Sequence, residues 1–184
     1  NQSSTYYVYY DNTKPTGAVK NSSGTTLTTS YTKEAFSYTA TDSGSGISYL
    51  QYMTPGSSSW TSYTSGTTIA ATATNGAYQF RAVDKAGNIS DTKTIYLDTV
   101  NPTGVLYSGT SAVSSGAKST ASYIKYVASD AASGIKTVYV KMPGASSYTT
   151  YTSGTQLTAN GTYSFYCVDN VGNQHYVFNI KGNN

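Results

Sequence analysis

Apolar and polar residues alternate along this chain in short runs with a period of two. Phe36, Tyr38 and Ala40 fall on one face of such a run, with Ser37, Thr39 and Thr41 on the other. Leu50 and Tyr52 share a face of the next run, and Tyr78, Phe80 and Ala82 of a later one. One apolar face and one polar face at this period predict strands of an antiparallel sheet covered on one side. The runs are separated by Gly, Asn, Asp and Pro. Asn75-Gly76 before a strand and Gly87-Asn88 after it offer the conformations that tight turns require. Many short strands at this spacing predict an all-β sandwich.

The pattern then occurs again. Asp11-Asn-Thr-Lys-Pro15-Thr-Gly17 returns as Asp98-Thr-Val-Asn-Pro102-Thr-Gly104, an offset of 87, and Asp42-Ser-Gly-Ser-Gly46-Ile47 as Asp130-Ala-Ala-Ser-Gly134-Ile135, an offset of 88. Trp60-Thr-Ser-Tyr63 matches Tyr148-Thr-Thr-Tyr151, and Met53-Thr-Pro55-Gly56 matches Met142-Pro143-Gly144. The stretch from Asn75-Gly76 through Tyr78, Phe80, Ala82, Asp84 and Gly87-Asn88 returns from Asn160-Gly161 through Tyr163, Phe165, Cys167, Asp169 and Gly172-Asn173, an offset of 85. The apolar faces recur as well: Ile124, Tyr126 and Ala128, then Val138 and Val140. Such self-similarity defines the domain plan. A first domain covers residues 1–98 and a second covers residues 99–184. Tyr9-Tyr10-Asp11 holds the place that Tyr96-Leu97-Asp98 holds ahead of the second copy, so residues 1–10 resemble the end strand of a preceding repeat.

Composition narrows the function. Charged residues make up 10% of the 184 residues, against about 25% in typical globular domains. With 20 Tyr against 4 Phe and 1 Trp, tyrosine supplies much of the core. The net charge of +3 is scattered, and Arg81 is the sole arginine. Nothing provides the clustered cations that release counterions from nucleic acid. No run of about 18 apolar residues occurs, which speaks against membrane insertion. A single cysteine excludes an internal disulfide. With no signal peptide and no anchoring segment in these residues, the chain reads as a fragment of something longer.

The motif set Asp-x-x-Ser-Gly-Ile, then Trp or Tyr, then Asn-Gly-x-Tyr-x-Phe-x-x-x-Asp-x-x-Gly-Asn, joined by Asp-x-x-x-Pro, resembles the bacterial immunoglobulin-like tandem repeats of cell-surface and secreted proteins. It spans both copies. The resemblance implies two tandem immunoglobulin-like, Greek-key antiparallel β-sandwiches of about seven strands each. It implies an extracellular location, at the cell surface or secreted, and use as a spacer, adhesion or accessory module. It places Tyr78 and Tyr163 as tyrosine corners, with Phe80 and Phe165 where antibody-type domains carry a cysteine.

The inventory argues against an enzyme. His175 and Cys167 are the only residues of their types, and Cys167 takes the inward place of Ala82, that of a buried and inert thiol. Glu34 is the only glutamate, so paired-carboxylate chemistry would fall to aspartates. No catalytic and no cofactor-binding residue is assigned.

The aspartates are the candidate metal ligands. In an immunoglobulin topology Asp42 and Asp84 end strands at one pole, where Asp11 also arrives. Asp130, Asp169 and Asp98 repeat the arrangement at the joint between copies, with Asn101 and Asn173 close by. Oxygen ligands of this kind suit calcium, while Asp at a strand end also closes turns by accepting backbone N–H groups. The aromatic candidates for ligand contact are Trp60, Tyr63, Tyr148 and Tyr151, whose rings could stack on sugars. The positions where the copies differ, Trp60/Tyr148, Arg81/Tyr166 and Ala82/Cys167, form no site-like grouping. The reading is a non-catalytic structural or spacer module whose partners are neighbouring domains of its own polypeptide. The alternative is an adhesin or carbohydrate-binding accessory that engages a glycan or a host or cell-surface protein.

Overall fold

A computed structural model describes residues 4–182. The chain is all-β, without a helix among the described residues, and it divides into two compact units, Asn1–Leu97 and Asp98–Asn184.

The first unit holds β1 (Thr16–Asn21), β2 (Tyr31–Thr32), β3 (Phe36–Thr41), β4 (Ile47–Met53), β5 (Thr61–Tyr63), β6 (Gly76–Asp84) and β7 (Lys93–Leu97). β1 pairs antiparallel with β3, Val19 opposite Tyr38. The other sheet runs β2-β7-β6-β4-β5, antiparallel except for the β2–β7 pair. Directly opposed residues share a face of the sheet, so the registers Leu50↔Ala82 and Tyr78↔Ile95 gather the apolar positions of neighbouring strands. These residues pack with Val19, Phe36, Tyr38, Tyr63, Phe80 and Leu97 into one core. Tyr38 stacks on Phe80 with ring centroids 5.0 Å apart, a pairing that contributes about 0.5–1.5 kcal/mol beyond burial.

The second unit repeats the plan with β8 (Thr103–Ser108), β9 (Ser111–Val113), β10 (Ile124–Ser129), β11 (Ile135–Lys141), β12 (Thr149–Tyr151), β13 (Gly161–Asp169) and β14 (Gln174–Gly182). Its sheets run β10-β8-β9 and β12-β11-β13-β14. Its core is Leu106, Ile124, Tyr126, Val138, Val140, Tyr151, Tyr163, Phe165, Cys167 and Ile180. The parallel β2–β7 pairing has its counterpart in a single Lys118↔Lys181 bridge.

Tyrosine serves these cores because its hydroxyl can reach backbone that strand pairing leaves unsatisfied. The Tyr78 hydroxyl donates to the Thr74 carbonyl at 2.9 Å, and that of Tyr163 to the Ala159 carbonyl at 2.7 Å, the bond of a tyrosine corner. The Tyr63 hydroxyl accepts the Tyr38 N–H at 2.9 Å and donates to the Thr67 carbonyl, and Tyr151 makes the same bridge from the Tyr126 N–H to the Thr155 carbonyl. The Asn-Gly turns are also explained. Gly76 and Gly161 have φ of 128° and 129°, a conformation that side chains resist. A Cβ there would lie 2.9 Å from Pro55 or 2.5 Å from Pro143, which ties each Asn-Gly to the Pro-Gly turn of its own copy.

Candidate functional site

Each unit gathers three aspartates from three separate loops. Asp11 precedes β1, Asp42 ends the β3 run and Asp84 closes β6, and one carboxylate oxygen of each lies within 4.8 Å of the others. Asp98, Asp130 and Asp169 form the same cluster in the second unit. Asp84, Asp98 and Asp169 are buried.

The oxygens hold the loops closed. In the first unit Asp11 accepts the Thr13 N–H at 2.9 Å and the Ser45 N–H at 2.6 Å. Asp42 Oδ2 accepts Gly44 and Gly46 N–H at 3.1 and 2.8 Å. Asp84 takes the Asn88 N–H and the Asn88 side-chain amide, both at 2.8 Å, and that amide also donates to the Asp11 carbonyl. In the second unit Asp98 accepts from Val100 and Ser133, Asp130 from Ala132 and Gly134, and Asp169 from Val171 and Asn173. Asn173 Nδ2 bonds Asp169 Oδ2 and the Asp98 carbonyl, while Asn101 stands exposed. The motif residues Asp, Asp-x-x-Ser-Gly and Asp-x-x-Gly-Asn thus form one latch made of three strips of chain.

Charge sets a limit on this arrangement. Two full charges 4.8 Å apart repel by about 3 kcal/mol at an effective dielectric near 20. Each backbone N–H given to a carboxylate returns about 1.5–3 kcal/mol. The bonds from Thr13 and then Ser45 hold the Asp11 carboxyl below its ordinary pKa. One atom is left over: Asp42 Oδ1 is buried without a hydrogen-bond partner.

Cys167 lies wholly inside the core, its Sγ 3.3 Å from the Tyr126 hydroxyl. Burial pushes the thiol pKa up, with carboxylates adding to the rise, the reverse of what a nucleophile needs. In the first unit Ala82 stands at this place and the buried Tyr38 hydroxyl has no partner in good geometry. The Ser90 hydroxyl near it is committed to the Ala82 N–H and the Asp91 carbonyl. Cys167 is a polar partner for a core tyrosine. A cleft of about 400 Å³ opens in each unit, one lined by Gly17–Val19, Thr26–Ser30 and Lys93–Ile95, the other by Gly104–Leu106, Val113–Ser115, His175 and Tyr176. Neither lining carries a carboxylate or a thiol.

No protein-family model matches the sequence, and no curated protein matches it. Among solved structures, the fibronectin(III)-like modules of Clostridium thermocellum CbhA align at a TM-score of 0.34 and 18% identity, over 89% of this chain and 92% of that one. That likeness is too slight to place the chain in a family.

The aromatic candidates separate into two kinds. Tyr63 and Tyr151 are buried, which corrects their reading as ligand contacts. Tyr63 lies opposite Leu50 in the β4–β5 register and Tyr151 opposite Val138 in β11–β12, so both point into the core. Trp60 is half-buried, and the Arg81 guanidinium lies over its ring at 4.3 Å while Arg81 Nε donates to Gln51 at 2.9 Å. Tyr148 is exposed and meets Tyr166 edge-on at 4.9 Å. Tyr166 in turn stacks on Tyr139 at 4.5 Å and on Tyr176 at 5.5 Å. The divergent positions Trp60/Tyr148 and Arg81/Tyr166 therefore do group, each pair on the outer face of its own unit's larger sheet. The signal was the alternation itself, which turns residues 81 and 166 outward beside inward Phe80 and Phe165.

Proposed function

We propose that this chain is a non-catalytic structural module: a tandem pair of immunoglobulin-like sandwiches that spaces or presents other domains of a larger bacterial surface or secreted protein. The observation that carries this reading is the duplicated use of the chemistry-bearing groups. The triad carboxylates and the hydroxyls of Tyr63, Tyr78, Tyr151 and Tyr163 accept from or donate to the backbone of their own unit, by the same bonds at matched positions in both copies. Groups so engaged serve folding, which suits a spacer.

The outer-face aromatics support the same choice. Sugar binding needs ring faces open to solvent. Here Tyr139, Tyr166 and Tyr176 stack on one another, and Arg81 covers Trp60. Incubation with insoluble polysaccharides is expected to leave the protein in the supernatant. Retention lost in Trp60→Ala or Tyr148→Ala would replace this reading with the carbohydrate-binding accessory.

A calcium clamp at the triads is the second reading, favoured by the orphaned Asp42 Oδ1 among three carboxylates. Extracellular calcium modules bind with Kd of about 0.1–1 mM. At about 10 mM calcium that adds roughly 1.4–2.7 kcal/mol, or roughly 5–20 °C in midpoint for a domain of this size. The latch reading expects the same midpoint in calcium and in chelator.

A further inference from the structure

Tyr6-Tyr7-Val8-Tyr9-Tyr10 places five large apolar side chains in a row, each between 82% and 95% exposed. Among the described residues no other segment is so apolar and so uncovered, and this one is in no strand.

The internal repeat says what it should be. Aligning Asp11 with Asp98 sets Tyr6–Tyr10 on Lys93–Leu97, residue for residue. Those residues form β7, which lies between β6 and β2 in the five-stranded sheet. Val8 takes the place of Ile95, opposite Tyr78, and Tyr10 that of Leu97, opposite Gly76, and both counterparts are buried in the core. Tyr9 takes the place of Tyr96, whose ring stacks on Tyr31 at 5.0 Å. The junction is the same too, because a triad aspartate follows at once, Asp98 after Leu97 and Asp11 after Tyr10.

We infer that Tyr6–Tyr10 is the last strand of another copy of this sandwich, one built without a last strand of its own and completed by pairing its β6 counterpart with these residues. The partner is a sheet edge of this same fold. Val8 and Tyr10 enter its core, Tyr9 covers its outside, and the strand hands the chain directly to the next triad. This goes beyond the structural reading and needs only the strand register.

Two extended chains test it. In one, residues 11–92 precede residues 6–184, so that Tyr6–Tyr10 follow Thr92 as β7 does. In the other, residues 98–177 precede residues 6–184, so that Val8 falls at the place of Ile180 and Tyr10 at that of Gly182. Amide exchange at residues 6–10 and the number of unfolding transitions are read. The expected result is at least about a hundredfold slower exchange there and one added transition with at least one receiver. Val8→Asp with Tyr10→Asp should abolish both effects and leave the original two units folded. Open-chain exchange at residues 6–10 with both receivers overturns the inference, and matching chains that keep residues 93–97 or 178–182 show that the receivers fold. A dimer of the unextended chain held through residues 6–10 would overturn it in favour of self-association.

Discussion

Asp169→Ala is expected to lower the melting midpoint of the second unit by roughly 10–25 °C. The Asp169 carboxylate is fully buried and accepts the Val171 and Asn173 N–H groups at 3.0 and 2.8 Å and the Asn173 side chain at 2.8 Å. Removing it orphans two backbone donors, Val171 and Asn173 N–H, in one tight turn, while the Asn173 side chain keeps the Asp98 and Val100 carbonyls. A buried group left unsatisfied costs about 1–3 kcal/mol. Partial access to water and relief of repulsion from Asp98 and Asp130 reduce the sum to about 2–4 kcal/mol. At about 4–8 °C per kcal/mol for a domain of this size, the shift is large. Asp130→Ala should cost less, since Asp130 is only partly buried and its loop can be solvated. Calorimetry of the whole chain reads both, and a shift for Asp169→Ala below about 3 °C would mean the turn does not depend on its carboxylate.

Gly104→Ala should be comparably damaging for a steric reason. Gly104 has no left-handed backbone to explain it. A Cβ built there would lie 1.8 Å from the Tyr126 hydroxyl oxygen, 2.2 Å from Cζ and 2.4 Å from a further ring carbon. The first unit is built the same way, with Gly17 placing a Cβ 1.9 Å from the Tyr38 hydroxyl. Tyr126 is wholly buried and stacked on Phe165 at 5.0 Å, so its ring cannot move aside without breaking the core. Overpacking of this kind costs about 1–3 kcal/mol and sometimes more, hence roughly 5–20 °C. Because ring carbons as well as the oxygen are in the way, adding Tyr126→Phe should restore little. Full recovery in that double variant would show that the clash is with the hydroxyl alone.

These two residues mark what the sequence made legible and what it did not. The faces of β3, β4, β6 and their counterparts follow from alternation. The meeting of Asp11, Asp42 and Asp84 follows from strand direction, because residues at matching strand ends arrive at one place. Nothing in the spacing of Gly17 and Gly104 tells their role, and only the position of a tyrosine on the neighbouring strand shows that they make room for a ring. Tyr63 and Tyr151 sit in strands of three residues, too short for alternation to fix a face, so their inward direction depends on register with β4 and β11. The bond from Cys167 to Tyr126 joins residues 41 apart, and spacing gives no sign of it. The outer tyrosine stack was within reach, since Tyr139, Tyr166 and Tyr176 are directly opposed across neighbouring strands. Recognising it required pairing β11 with β13 and β13 with β14.

The central claim is that the clustered carboxylates hold the loops through backbone bonds, with no bound ion required. Amide hydrogen exchange on the whole chain in chelator-containing buffer measures this directly. The latch predicts that the Ser133, Gly134, Val171 and Asn173 amides, all donors to the second triad, exchange at least about a hundredfold slower than open chain, and equally slowly when calcium is added. Open-chain exchange of these amides in chelator, with protection appearing only in calcium, would contradict the latch and make each triad a metal clamp.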